Sequence, residues 1–105
     1  MGRKNTLINE LQKFKRNLSK SYPVSKLLLF GSQVEGNITK ESDVDLVIVS
    51  AAFRNLNYIK RASAMYDFWD LRIPVDFLCY TPEEFRKLSK KITIVQYAVK
   101  HGIVI

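Results

Sequence analysis

Three aspartates stand in stretches that otherwise offer no place for charge. Val44 to Val49 is almost wholly β-branched or leucine and reads as a strand, yet Asp45 lies inside it and Asp43 sits just ahead. Asp76 lies in a second apolar run, Pro-Val-Asp-Phe-Leu. Burying a carboxylate is costly unless it is paired or bound to a metal. Side chains alternate along a strand, so Asp43 and Asp45 face the same way, roughly 6–7 Å apart at the backbone. If the two strands are neighbours, all three carboxylates converge on one point. Ionised together they repel one another strongly, and a divalent cation resolves that repulsion. Oxygen-only ligands favour Mg2+ or Mn2+, and the sequence holds no Cys/His cluster to compete. A pair of such ions can stabilise both the attacking and the leaving oxygens of a phosphoryl transfer.

Gly31-Ser32 adds a second element of chemistry. It follows the short apolar run Val24 to Phe30. A glycine there lets backbone approach a ligand closely. If a helix opened after Ser32, its free N–H groups would face a phosphate, with the Ser32 hydroxyl as one more donor. No Gly-Lys-Ser/Thr follows, so this is not a Walker loop. Singly, each piece is common, since Gly-Ser is usually a turn and Asp-x-Asp is often solvated. The combination is far more specific: strand, Gly-Ser, ten residues, Asp-x-Asp on a strand, and a third aspartate on a later strand.

The elements that must position these residues follow from periodicity and punctuation. Leu7, Leu11, Phe14 and Leu18 form one stripe of a helix from about Thr6 to Lys20, which Tyr22-Pro23 ends. Val24 to Phe30 and Val44 to Val49 read as strands, and Ser50 to Asn57 as a connection. Ile59, Ala62, Tyr66, Trp69 and Ile73 predict an amphipathic helix over Tyr58 to Arg72. Ile73 to Tyr80 reads as a third strand, with Pro74 near its start, where a missing donor is tolerated. Thr81-Pro82-Glu83-Glu84 is a capping box with proline at the first helical position, opening a helix to about Lys90. Ile92 to Lys100 suits strand or helix, and a helix ending at Gly102 is the preferred reading. The order is helix, strand, strand, helix, strand, helix, helix. It predicts an α/β or α+β fold, a small mixed β-sheet flanked by helices.

The chain has 105 residues and 47% hydrophobic content, which suits a single domain over residues 1–105 that buries roughly two thirds of its unfolded surface. No run approaches a membrane span and no signal-peptide core is visible, which predicts a cytoplasmic protein with no membrane partner. The net charge is +7, and seven of the seventeen Lys and Arg fall between Arg3 and Lys26 against the single acid Glu10. Such an excess suits nucleotide phosphates, nucleic acid or an acidic partner, but more often marks a solvated helix face. No nucleic-acid signature accompanies it. Cys79 lies in an apolar run and reads as a buried structural thiol. His101 beside Gly102 reads as a favourable cation at a helix end, and Tyr66, Phe68 and Trp69 as core packing.

Leu-Leu-Phe-Gly31-Ser32, ten residues, then Asp43-Val-Asp45-Leu resembles the signature of the polymerase-β-like nucleotidyltransferases. The small size resembles the minimal nucleotidyltransferase (MNT) branch, and the likeness extends over the leading helix, the Val-Asp-Phe strand and the closing Tyr-Ala-Val-Lys-His-Gly-Ile-Val. The resemblance implies a polymerase-β-like fold. It implies that Gly31 and Ser32 hold nucleotide phosphates, that Asp43 and Asp45 bind metal ions, and that Asp76 assists a metal and accepts the proton of the attacking hydroxyl. The implied reaction moves a nucleoside monophosphate, usually AMP from ATP, onto an acceptor with release of pyrophosphate. The implied partner is a small helical HEPN-type ribonuclease toxin carrying the acceptor tyrosine, with the MNT chain as antitoxin. A homo-oligomer is left open. Family members commonly read Gly-Ser-Arg-Ala-Arg-Gly. Here Gln33-Val34-Glu35 lacks both arginines, and Lys26, Lys40 and Arg54 are the cations that could replace them.

Two rivals to an enzyme remain. One is a binding module of the same fold that neutralises its partner by contact alone, motivated by the altered Gln33 to Glu35 run. The other is a nucleic-acid-binding accessory chain, whose affinity would fall steeply with salt.

Overall fold

The computed structural model describes residues 3–31 and 43–105. Helix α1 spans Arg3–Leu18, followed by strands β1, Val24–Phe30, and β2, Val44–Ser50. A short 3-10 turn, Ala51–Asn55, leads to helix α2, Tyr58–Tyr66, and strand β3, Val75–Tyr80. Helices α3, Pro82–Ser89, and α4, Ile94–His101, precede strand β4, Ile103–Val104. The four strands form one sheet in the order β3-β2-β1-β4. Strand β1 runs antiparallel to β2 and β4, and β2 runs parallel to β3. The mixed sheet with flanking helices is the fold class the sequence predicts.

Strand alternation splits the core between the two faces of the sheet. Leu27, Leu29, Leu46, Ile48, Phe77 and Cys79 pack on one face with the predicted α1 stripe, Leu7, Leu11, Phe14 and Leu18. Leu28, Phe30, Val47 and Val49 pack on the other face, with Ala98 of α4 and Phe85 of α3. The predicted capping box is formed: Thr81 Oγ1 accepts from the Glu84 N–H, and Glu84 Oε1 accepts from the Thr81 N–H. Helix α4 starts on Thr93, whose hydroxyl accepts from the Gln96 N–H, and ends at Gly102 as expected.

Helix α2 departs from expectation. It stops at Tyr66 rather than Arg72, and its buried residues are Arg61 and Met65, while Ile59 is 80% exposed. The apolar spacing beyond Tyr66 belongs to a folded-back turn closed by a hydrogen bond from Trp69 Nε1 to the Ile73 carbonyl, 3.0 Å. Trp69 packs edge-on against Phe14 and Phe77, with centroids 5.3 and 5.7 Å away. Aromatic packing across the chain thus outweighs continued helix. Arg61 is buried because its guanidinium donates to the carbonyls of Phe53, Leu56 and Cys79 and meets the Glu84 carboxylate at 2.6 Å.

Strand β4 is absent from the sequence reading because two residues carry no period. Gly102 lets the chain turn directly from α4 into it: a Cβ there would collide with the Ala98 carbonyl and stand 2.9 Å from the Leu29 carbonyl. At the opposite edge, the Tyr66 hydroxyl and Arg61 bond the Val75 and Cys79 carbonyls of β3. Those bonds occupy carbonyls that would otherwise invite a further strand.

Candidate functional site: a carboxylate cluster at one end of the sheet

Strand β1 ends where β2 and β3 begin, and the acids gather at that end. In the sheet register Phe30 faces Asp45 across the antiparallel pair, and Asp45 faces Asp76 across the parallel pair. Asp45 shares its sheet face with Val47 and Asp76 shares its face with Leu78, by alternation. Both therefore lie on the α3–α4 side of the sheet. Asp43 immediately precedes β2 and is exposed. The strand adjacency that the sequence left conditional is thus present, and it makes Asp45 and Asp76 direct neighbours.

Gly31 shapes the cluster from the third side. Its φ is +88°, and a Cβ there would overlap Asp45 Oδ2. Only glycine relieves both constraints, because L side chains avoid this region of backbone space. Ser32, the Gln33 to Gly36 run and Lys40 lie outside the described residues.

The electrostatics couple the three acids. Burial pushes the Asp45 carboxyl above its ordinary value, and the charges of Asp76 and then Asp43 push it further. Among the described residues no three His, Cys, Asp or Glu side chains close into a metal-binding group. The donor set suits a hard divalent cation, because all three are carboxylates and the other two raise the cost of ionising Asp45.

Two of the proposed substitutes for the missing arginines are placed elsewhere. Lys26 pairs in register with Val49, four residues from Asp45 along β2, about 13 Å away. Its ammonium lies 5.4 Å from the centre of the Phe85 ring. Arg54 is paired with Glu83. Neither side chain therefore supplies a cation to the carboxylate end, because ring and ion-pair contacts hold both at the far end of the sheet.

The sequence reading missed Arg61. The signal was present, since Arg61 and Met65 are four apart on one helix face, but a stripe drawn through Ile59 and Ala62 hid it. Cys79 is buried as expected, and burial raises its thiol to about 12 against a smaller opposing pull from Arg61.

The mixed sheet places paired aspartates near its strand starts and a tight glycine beside them. The profile of the nucleotidyltransferase domain matches residues 11–101, and the chain belongs to that family. It is 33% identical to a protein of Haemophilus influenzae described as "Probable protein adenylyltransferase MntA", over 82% of this chain and 77% of the relative. The crystal structure of a candidate nucleotidyltransferase from Sulfolobus solfataricus superposes with a TM-score of 0.66 at 19% identity. That likeness, over 96% of this chain and 80% of the other, supports the fold alone. Among the described residues no helix is long and apolar enough to cross a membrane.

Proposed function

We propose that this chain transfers a nucleoside monophosphate, AMP from ATP, to a hydroxyl on a protein acceptor. The observation that carries the reading is the Asp45–Asp76 register pair with Gly31 closed against it. Asp43, Asp45 and Asp76 are the residues to hold Mg2+ or Mn2+, and Gly31 with Ser32 the residues to receive the nucleotide phosphates. The cation, when bound, supplies Lewis-acid charge for the phosphates and for oxygens that become negative during transfer. Asp76 lies on the edge strand β3, outermost in the sheet, which suits it to take the proton of an incoming acceptor hydroxyl. That hydroxyl attacks the α-phosphorus, the bond to the bridging oxygen breaks, and pyrophosphate leaves.

The adenylyltransferase relative supports AMP as the group transferred and a protein as acceptor. The family resemblance extends this to a tyrosine on a small helical HEPN-type toxin, with this chain as antitoxin and residues 1–105 as one catalytic domain. The test is to incubate the chain with ATP, Mg2+ and the protein encoded beside it, then weigh both by intact mass spectrometry. Adenylyl mass on the partner is expected. Unmodified partner across several nucleotides overturns the reading.

A second reading, neutralisation by contact without transfer, draws on one observation. The described candidates for replacing the two absent arginines, Lys26 and Arg54, are held elsewhere. The double variant Asp43→Asn/Asp45→Asn separates the two readings. Full protection of cells by that variant favours contact, and loss of protection favours transfer.

A further inference from the structure

We propose that a cavity beside the outer end of β3 is a binding site for a nucleoside monophosphate, separate from the carboxylate cluster. The cavity has a volume of about 350 Å³, and its walls include Tyr58, Tyr80, Leu88, Lys87 and Lys91, with the Arg61–Glu84 pair. That volume lies at the lower end of small-molecule sites. It is far larger than an inorganic anion needs.

The walls divide into two chemistries. Tyr58 and Tyr80 stand with ring centroids 5.9 Å apart and planes tilted by 42°, which with Leu88 gives an apolar, aromatic side suited to a flat ring. Lys87 and Lys91 are the exposed cations of the wall. Neither lysine is in an ion pair among the described residues. The Arg61 guanidinium, by contrast, is already satisfied by Glu84 and backbone carbonyls. The two lysines therefore leave uncompensated positive charge beside an aromatic wall. A planar base carrying one phosphate matches that pairing.

The site is offset from the acids, although the charge of Asp76 reaches the Tyr58 hydroxyl. Tyr80 lies four residues beyond Asp76 on β3, about 13 Å along the strand. A polynucleotide strand fits less well. The other lysine-rich element, α1, packs on the opposite sheet face, so its charge does not extend the cavity.

The test titrates the full chain with AMP in EDTA, by calorimetry and by amide chemical shifts, with adenosine, inorganic phosphate and a short single-stranded oligonucleotide as parallel probes. AMP is expected to bind more tightly than either of its parts. Lys87→Glu/Lys91→Glu, both at exposed positions, should weaken AMP roughly ten- to hundredfold by removing charge-assisted contacts. Tyr58→Leu should weaken it on the ring side, and thermal melts confirm that each variant is folded. Asp43→Asn/Asp45→Asn should leave AMP affinity within about twofold, which also keeps this result independent of the transfer reaction. Loss of binding in the aspartate variant, retention in the lysine variant, phosphate binding as tightly as AMP, or tighter oligonucleotide binding at the same lysines would each overturn the assignment. So would the absence of AMP binding at millimolar concentration.

Discussion

Gly31 and Asp45 are fitted so closely that the space of a Gly31 Cβ is already filled by the Asp45 carboxylate. The glycine also holds φ at +88°, so alanine there strains the backbone and must push the Asp45 carboxylate aside. The left-handed backbone alone costs about 1–2 kcal/mol. Gly31→Ala should lower stability by at least that amount in urea titration and should displace Asp45. Under the proposed reaction, adenylyl transfer should fall by more than tenfold while the sheet survives in circular dichroism.

Asp45 makes the opposite trade. Burial, Asp76 and Asp43 raise its pKa above the ordinary 3.8, so the fold favours the protonated form. The resulting destabilisation is absent below pH 3.8, grows as pH rises toward the raised pKa, and is fully present above it. Asp45→Asn should therefore raise the melting temperature at pH 7 by a few degrees, with little change near pH 3. The same variant should cut transfer by roughly a hundredfold or more, because it removes a carboxylate worth several kcal/mol of charge stabilisation. A variant that melts lower at neutral pH, or keeps full activity, would contradict this account.

The two acids of that trade were legible before the fold was known, and for a physical reason. A carboxylate inside an apolar run is costly, so its presence in Val44 to Val49 and again in Ile73 to Tyr80 marks a candidate site. Strand alternation placed Asp43 and Asp45 on one face without any knowledge of the sheet. The direct opposition of Asp45 and Asp76 was not legible, because register is set by pairing across the sheet rather than along the chain. Helix α2 shows the same limit. Its apolar spacing ran past Tyr66 because Trp69 and Ile73 pack back over Phe14 and β3, a long-range contact that imitates helical period. Arg61 was hidden because its partners are carbonyls and a carboxylate from three other segments.

Arg61 and Glu84 tie α2 to the start of α3. Burial raises the Glu84 carboxyl, but the hydrogen bonds from Arg61 and from the Thr81 backbone outweigh it, and the net shift is below 4.5. A depressed pKa gives stability that is present above pH 4.5 and lost as pH falls through the lowered value. Glu84→Gln should therefore flatten the acid limb of a stability-versus-pH curve. Arg61→Ala should cost more, about 3 kcal/mol, because it leaves carbonyls and a carboxylate without their donor. Chemical denaturation at pH 7 and pH 4 resolves the two effects.

Cys79 offers a check on the packing of the β3 edge that does not depend on any activity. The residue is fully buried between the sheet and its helices, and burial lifts its thiol to about 12, with Arg61 pulling weakly the other way. Thiolate is the reactive form, and at pH 8 almost none is present in the folded chain. Ellman's reagent should leave Cys79 untouched under native conditions and titrate one thiol per chain in denaturant. Because Arg61 also holds the Cys79 carbonyl, Arg61→Ala should open this edge and let the thiol react natively, at a rate that follows local unfolding. Rapid native labelling of the unsubstituted chain would show that the edge is looser than its hydrogen bonds imply.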